Sequence, residues 1–333
     1  MTVLGIDLND AALTGYAGDS EVFSEPGYAL APDGDLLFGW DAWHAARRYP
    51  RRVQNRYWAE LADEPLPAPL AGANTAADLV HGHLDTLWRR APDDCRGVSF
   101  AVPGYWSPAQ LGLLLGIAQE LSIPVLGFVD VAVASARREY PGRELVLLEA
   151  SLHGMAFTRI EQPGRAALGT RESLPGLGVE VLERSCVQYF AAGFLQAARF
   201  DPLHDAVTEQ YLYDQLDGWL ASLARESSLR ASVSYQGNEF AAEFQRSDLE
   251  TRLAERCQPL LQRARSLLPA GGATALLLPS GLDRFPGFVD RLAALPGVEI
   301  FTLEPGAAAR AAARRSVTSA TAEGLRLLTA LPW

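Results

Sequence analysis

The stretch from Gly97 to Arg138 alternates short apolar strands with helices, and that alternation constrains the fold more than any other feature. Gly97 to Val102 reads as a strand, Pro103 to Pro108 as a loop and Ala109 to Leu121 as a helix. A strand at Val125 to Phe128 and a helix from Val131 to Arg138 follow. Pro108 suits a first helical turn, with Ser107 as its cap. Strands and helices in this order imply an α/β sheet.

The flanks extend the pattern. Val3 to Leu8 reads as a buried strand, followed after Asn9-Asp10 by a second strand, Ala12 to Gly18. Asp41 to Arg47 and Ala76 to Arg90 read as helices, with Pro65, Pro67 and Pro69 marking a loop between them. The second half begins again with a strand pair. Glu144 to Glu149 and Met155 to Ile160 flank a turn at Ala150 to Gly154, a repeat of architecture rather than of residues. Helices are expected at Gly178 to Gln196, Glu209 to Ala224 and Arg246 to Leu268, with a hairpin in Ala231 to Phe240 turning at Gly237-Asn238. An apolar strand, Thr274 to Leu278, leads to helix Pro286 to Leu295, strand Val298 to Leu303 and helix Pro305 to Arg315.

With 333 residues the chain can divide into two lobes, here 1–140 and 141–333, the last helix expected to return to lobe I. A net charge of -11 opposes nucleic-acid binding, which requires a basic surface, and gives no support for an anionic membrane. Cys95, Cys186 and Cys257 form neither a disulfide framework nor a zinc spacing, which points to a reducing cytoplasm. The opening Met1 to Asp7 lacks a basic start and places an acid in its apolar run, unlike a signal peptide or anchor.

Val102-Pro103-Gly104-Tyr105-Trp106-Ser107-Pro108-Ala109-Gln110 resembles the Val-Pro-Ala-Tyr-Phe-Asn-Asp-Ala-Gln signature of the ATPase domain of the seventy-kilodalton heat-shock chaperones. Leu113 to Leu121, Val125-Leu126 and Asp130 to Ala134 follow in the family's order. Gly5-Ile6-Asp7-Leu8 is similar to the first phosphate loop, and Leu276 to Pro286 to the adenosine loop. Arg252 to Leu268 resembles the helix before that loop, and Glu304 to Ala313 the closing helix. The resemblance implies the actin-like two-lobed fold, in which duplicated ribonuclease H-like sheets close on ATP or ADP with Mg.

It also implies a site with most of its phosphate-handling residues replaced. Asp7 matches the carboxylate that orders water around magnesium, and is the first vestigial catalytic and metal candidate. After it Asn9, Asp10 and Ala11 stand where the family has Gly-Thr-Thr. An inward Asp10 would repel a triphosphate, at about 4 kcal/mol per charge pair at 4 Å and an effective dielectric near 20. The second loop, Asp-Leu-Gly-Gly-Gly-Thr-Phe-Asp in the family, lies over Glu149-Ala150-Ser151-Leu152-His153-Gly154-Met155-Ala156. Glu149 is the second vestigial carboxylate. Ser151, Leu152 and His153 replace glycines, and Ala156 replaces the second metal-side aspartate. Gly154, Gly178, Ser280, Gly281 and Arg284 complete the expected cofactor contacts. Val131 stands at the polarising glutamate, Trp43 at the catalytic lysine, and Asp217 to Leu220 lack the basic pair that clasps adenosine.

Plainer roles stand beside these. An aspartate ending a strand serves as a turn former, and a loop histidine such as His153 can simply face solvent. His81-Gly82-His83 with Asp85 could suggest a metal site, but residues two apart do not share a helix face. Arg47 to Arg56, interleaved with Tyr49, is either a basic patch for an acidic partner or a solvated helix end. The expected function is a non-catalytic or weakly nucleotide-binding regulatory module with a protein partner or co-chaperone. By the same resemblance, a counterpart of the family's peptide-binding domain is not expected in this stretch of sequence. Alternatives are a genuine divergent chaperone-type ATPase, a sugar-kinase-like phosphotransferase and a filament-forming assembler.

Overall fold

Two six-stranded sheets built on one plan organise the chain. The computed structural model describes residues 2–268, 272–315 and 326–333. In the first sheet β1 (Thr2–Asp7) pairs antiparallel with β2 (Leu13–Ala17), and β2 antiparallel with β3 (Ser20–Glu25). On its other side β1 pairs parallel with β4 (Cys95–Val102), which pairs parallel with β5 (Val125–Asp130). The second sheet repeats the scheme with β6 (Glu144–Ala150), β7 (Gly154–Glu161), β8 (Arg165–Pro175), β9 (Thr274–Leu278) and β10 (Val298–Thr302). The order β5-β4-β1-β2-β3 is thus matched strand for strand by β10-β9-β6-β7-β8. Near the end of the chain Leu327–Leu328 joins the first sheet beside β5, and Ala330–Pro332 joins the second beside β8.

The central strands read as continuous apolar runs because both faces are covered. All five residues of β9 are buried, as are the last six of β4. Helix α1 (Ala76–Trp88) starts at a capping box between Thr75 and Asp78, and α2 (Pro108–Glu120) at one between Ser107 and Gln110. Ser107 is therefore a cap. The Asp130 carboxylate caps α3 (Val131–Ser135), which is shorter than the expected 131–138 because Ala136 turns extended. In the second half, α4 (Val179–Ala198), α5 (Ala206–Arg225) and α6 (Arg246–Leu267) cover one face of the sheet, with α7 (Phe288–Ala293) beyond β9.

Helix α8 (Ala307–Arg315) crosses back onto β1. A side chain at Gly5 would lie 1.8 Å from the Ala309 carbonyl oxygen, so only glycine allows this approach. Six buried alanines make the helix narrow enough to share one core with α3 and with strands of both sheets, including Ala101, Leu147 and Leu277.

Some expectations changed. Pro65 to Pro69 lie in a strand, Pro65–Leu70, paired with Ala73–Thr75, because prolines suit a two-stranded edge that leaves their nitrogens unpaired. The hairpin is longer, Ser228–Tyr235 with Asn238–Gln245, and turns at Gln236-Gly237, both with positive φ. Strands β3 and β8 were not anticipated: both are rich in polar residues and only partly buried. Among the described residues no helix is long and apolar enough to cross a membrane.

Candidate functional site

The β1–β2 and β6–β7 turns face each other across the cleft between the sheets, and each is held by the other. The Asn9 side-chain amide donates to the Ala150 carbonyl at 2.9 Å, while Asn9 Oδ1 accepts from the Ala11 amide. The fully buried Asp10 carboxylate accepts from the Leu152 amide at 2.8 Å. Asp10 therefore acts as a strut to the opposite turn. Burial raises its pKa, against the Leu152 amide and His153, and its second oxygen has no hydrogen-bond partner.

The β6–β7 turn closes on itself and then on a helix. Ser151 Oγ donates to the Gly154 carbonyl and accepts from the Gly154 amide. The amides of Val179 and Glu180, at the start of α4, donate to the carbonyls of Ser151 and Leu152 at 3.0 and 3.1 Å. A helix N-terminus is a natural anion site, but here the turn itself takes those donors. Gly178 permits the approach, since a Cβ there would sit 2.3 Å from the Leu152 oxygen. The Leu152 side chain is buried against Tyr28, Leu30, Ala42 and Ala46 of the first half. His153 reaches the same region, with Nε2 2.9 Å from the Asn55 carbonyl and Nδ1 3.2 Å from Glu180. Both nitrogens face acceptors, which suits the imidazolium. Burial lowers its pKa, but the Glu180 carboxylate and Asn55 carbonyl outweigh that and leave it raised.

The two strand-end carboxylates differ sharply. Glu149 accepts from the Gly104 amide at 3.1 Å, from Arg171 Nε at 3.0 Å and from the Thr158 hydroxyl. Arg171 also forks onto both oxygens of Asp130 at 3.0 Å and donates to the Gly104 carbonyl. A Cβ at Gly104 would lie 1.7 Å from the guanidinium carbon, so that glycine makes room for the arginine. Burial raises the Glu149 pKa and Arg171 opposes the rise. Asp7 has no such partner: its Oδ1 is buried without a hydrogen bond. Burial pushes its pKa up to about 7, with Glu149 adding to the rise and the Asn9 amide opposing it.

Among the described residues, two cavities open beside these turns. One of about 120 Å³ lies beside Asp7, bounded by Thr14, Tyr105, Ser135, Glu149 and Ser280. The other, about 280 Å³, is walled by Tyr28, Trp40, Trp43, Tyr213, Glu183 and Arg284. Asn9 and Ala150 belong to both walls, so their hydrogen bond stands at the partition. Ser280 borders both, and Gly281 turns with φ +91° into the segment carrying Arg284. Arg284 is paired with Glu183 at 2.6 Å and with Asp217. At the outer edge, His44 meets Asp214 at 2.9 Å, and the Arg47 guanidinium lies 3.9 Å over the Tyr213 ring.

Asp7, Asn9, Glu149, Ser151 and Ser280 border the smaller cavity and Asn9, Ser280, Gly281 and Arg284 the larger, while Asp10, His153, Gly154 and Gly178 are engaged in and around the turns. Sequence reasoning missed Arg171, which lies in the unanticipated β8, and missed Trp40 and Tyr213; no local pattern marks any of them. His83 is a core residue: its Nδ1 accepts from the Trp58 indole, and its Nε2 faces Glu25 at 2.8 Å. The basic stretch divides, Arg47 turning inward onto Tyr213 while Arg51 and Arg52 stay exposed. Among the described residues no group of three His, Cys, Asp or Glu is placed to hold a metal ion. No protein-family model matches the chain, and no curated protein matches it in sequence.

Proposed function

We propose that this chain is a divergent actin-like nucleotide-binding fold, of the kind found in the seventy-kilodalton chaperone ATPases. In this reading its phosphate cleft has become a lock between the lobes, and the protein serves as a non-catalytic interaction or regulatory module. The reciprocal bonding of the two turns, Asn9 to Ala150 and Asp10 to Leu152, carries the reading. Mg-ATP does not fit the residues present. The α4 amides are taken by carbonyls, Leu152 ties the β6–β7 turn into the core of the first half, and Arg171 already supplies the cation that Glu149 and Asp130 require. The free Cys95, Cys186 and Cys257 suit a reducing, cytoplasmic setting, and a protein partner or co-chaperone would use the lobe surfaces.

Calorimetric titration with Mg-ATP tests this. The expected result is no saturable heat at micromolar nucleotide and no rise in melting temperature; a rise overturns the reading. The open Oδ1 of Asp7 favours one second reading, a weak ATP-binding hydrolase. That reading requires slow hydrolysis that Asp7→Ala abolishes.

A further inference from the structure

The larger of the two cleft cavities has a strong chemical character. Five aromatic side chains line it, Tyr28, Trp40, Trp43, Tyr213 and Phe285, and Trp43 stands nearly perpendicular to two of them. Trp43 lies edge-on to Trp40 at 79° with centroids 5.5 Å apart, and edge-on to Tyr213 at 84° and 6.4 Å. The charged groups bordering the cavity are Glu183, Asp217 and Arg284; Arg284 is paired with both acids, and burial raises the Glu183 pKa against that pairing. Tyr28 is 1% exposed, lines the cavity and holds a buried hydroxyl with no hydrogen-bond partner, although Asn55 lies nearby. The protein itself already places a cation on one of these rings, Arg47 over Tyr213. At about 280 Å³ the space is slightly below the usual range for a drug-sized ligand, roughly 300–1,000 Å³.

We propose that this cavity is a binding site for a small organic cation of the quaternary or alkylated ammonium class, held by the faces of Trp40, Trp43 and Tyr213 and by the carboxylates of Glu183 and Asp217. Aromatic faces attract such cations through the ring quadrupole, most strongly where water is excluded. A triphosphate meets the opposite field there. The inference rests on the reading that the cleft no longer holds nucleotide.

Tryptophan fluorescence tests it, since Trp40 and Trp43 report from the wall. The probes are tetramethylammonium chloride and choline chloride, with sodium chloride at equal ionic strength as control. Saturable quenching by the organic cations, absent with sodium, is expected. Both Trp43→Leu and Asp217→Asn should weaken it about tenfold. Asp217 is exposed, so Asp217→Asn carries the test if the Trp43 variant fails to fold. A response no different from that of sodium overturns the proposal, as does saturation by adenosine where tetramethylammonium gives none. If both organic cations and Mg-ATP fail to bind, this inference falls while the non-catalytic reading stands. Binding of Mg-ATP removes that reading instead.

Discussion

The first strand of each sheet ends near a carboxylate, and the two carboxylates have opposite surroundings. Glu149 in β6 is met by an arginine, a hydroxyl and a backbone amide, while Asp7 in β1 keeps a buried oxygen with no partner. The turns that follow differ in the same way. The β1–β2 turn reaches across with the side chains of Asn9 and Asp10; the β6–β7 turn presents backbone to them and sends Leu152 into the other half's core. Two copies of one strand plan have therefore taken complementary parts, donor of polar struts and receiver of them. A symmetric cleft closing on a ligand would keep both turns open. Here they close on each other.

The largest effect should come from removing the cation that satisfies the second half. Arg171→Met leaves Glu149 and Asp130 buried and unpaired, and denaturant unfolding should show a loss of about 3–5 kcal/mol. A loss below 1 kcal/mol would mean that the lock lies elsewhere. Next, Leu152→Ala empties a place among Tyr28, Leu30, Ala42 and Ala46 and should cost about 2–5 kcal/mol in the same measurement.

A pH effect reports on the Asp7 carboxylate, and the Asp7→Asn variant isolates it from Glu149, whose pKa is also raised by burial. The folded-state pKa of Asp7 is raised from 3.8 to about 7, so the folded state binds the proton more tightly than the unfolded chain. Stability is then greatest below pH 4 for this group and falls as pH rises toward about 7, by at most about 1.4 kcal/mol per unit crossed. Melting temperatures across that window should fall less steeply in Asp7→Asn than in the parent protein. Equal slopes would show that Asp7 is solvated.

The smallest effect distinguishes shape from charge at the strut. Asp10→Ala removes the acceptor of the Leu152 amide and should cost about 1–2 kcal/mol, whereas Asp10→Asn keeps an acceptor and should lie within about 0.5 kcal/mol of the parent. If Asp10→Asn is the worse of the two, charge matters more than the strut.

Much of the architecture was legible from residue patterns. The apolar runs at Val3 to Leu8 and Thr274 to Leu278, the Ser107-Pro108 helix start and the repeated strand pair all answer to local rules of periodicity and capping. Strands β3 and β8 were not legible, because their polar, half-buried residues carry no such signature. Arg171 was hidden with β8. Its partners lie 13 to 67 residues away, and no spacing rule joins them.

Residue patterns in the sequence determined the strand pairs whose ends and turns carry Asp7, Asn9, Glu149 and Ser151; that these residues belong to one site was only what the family resemblance implied. The same resemblance implied that bulkier or acidic side chains stand where the family has glycines and hydroxyls. Only the tertiary structure decided what those side chains do. Whether Asp10 repels a ligand or braces a turn depends on an amide 142 residues away. Long-range burial, which removes water as a competing partner, turns that choice into a single arrangement.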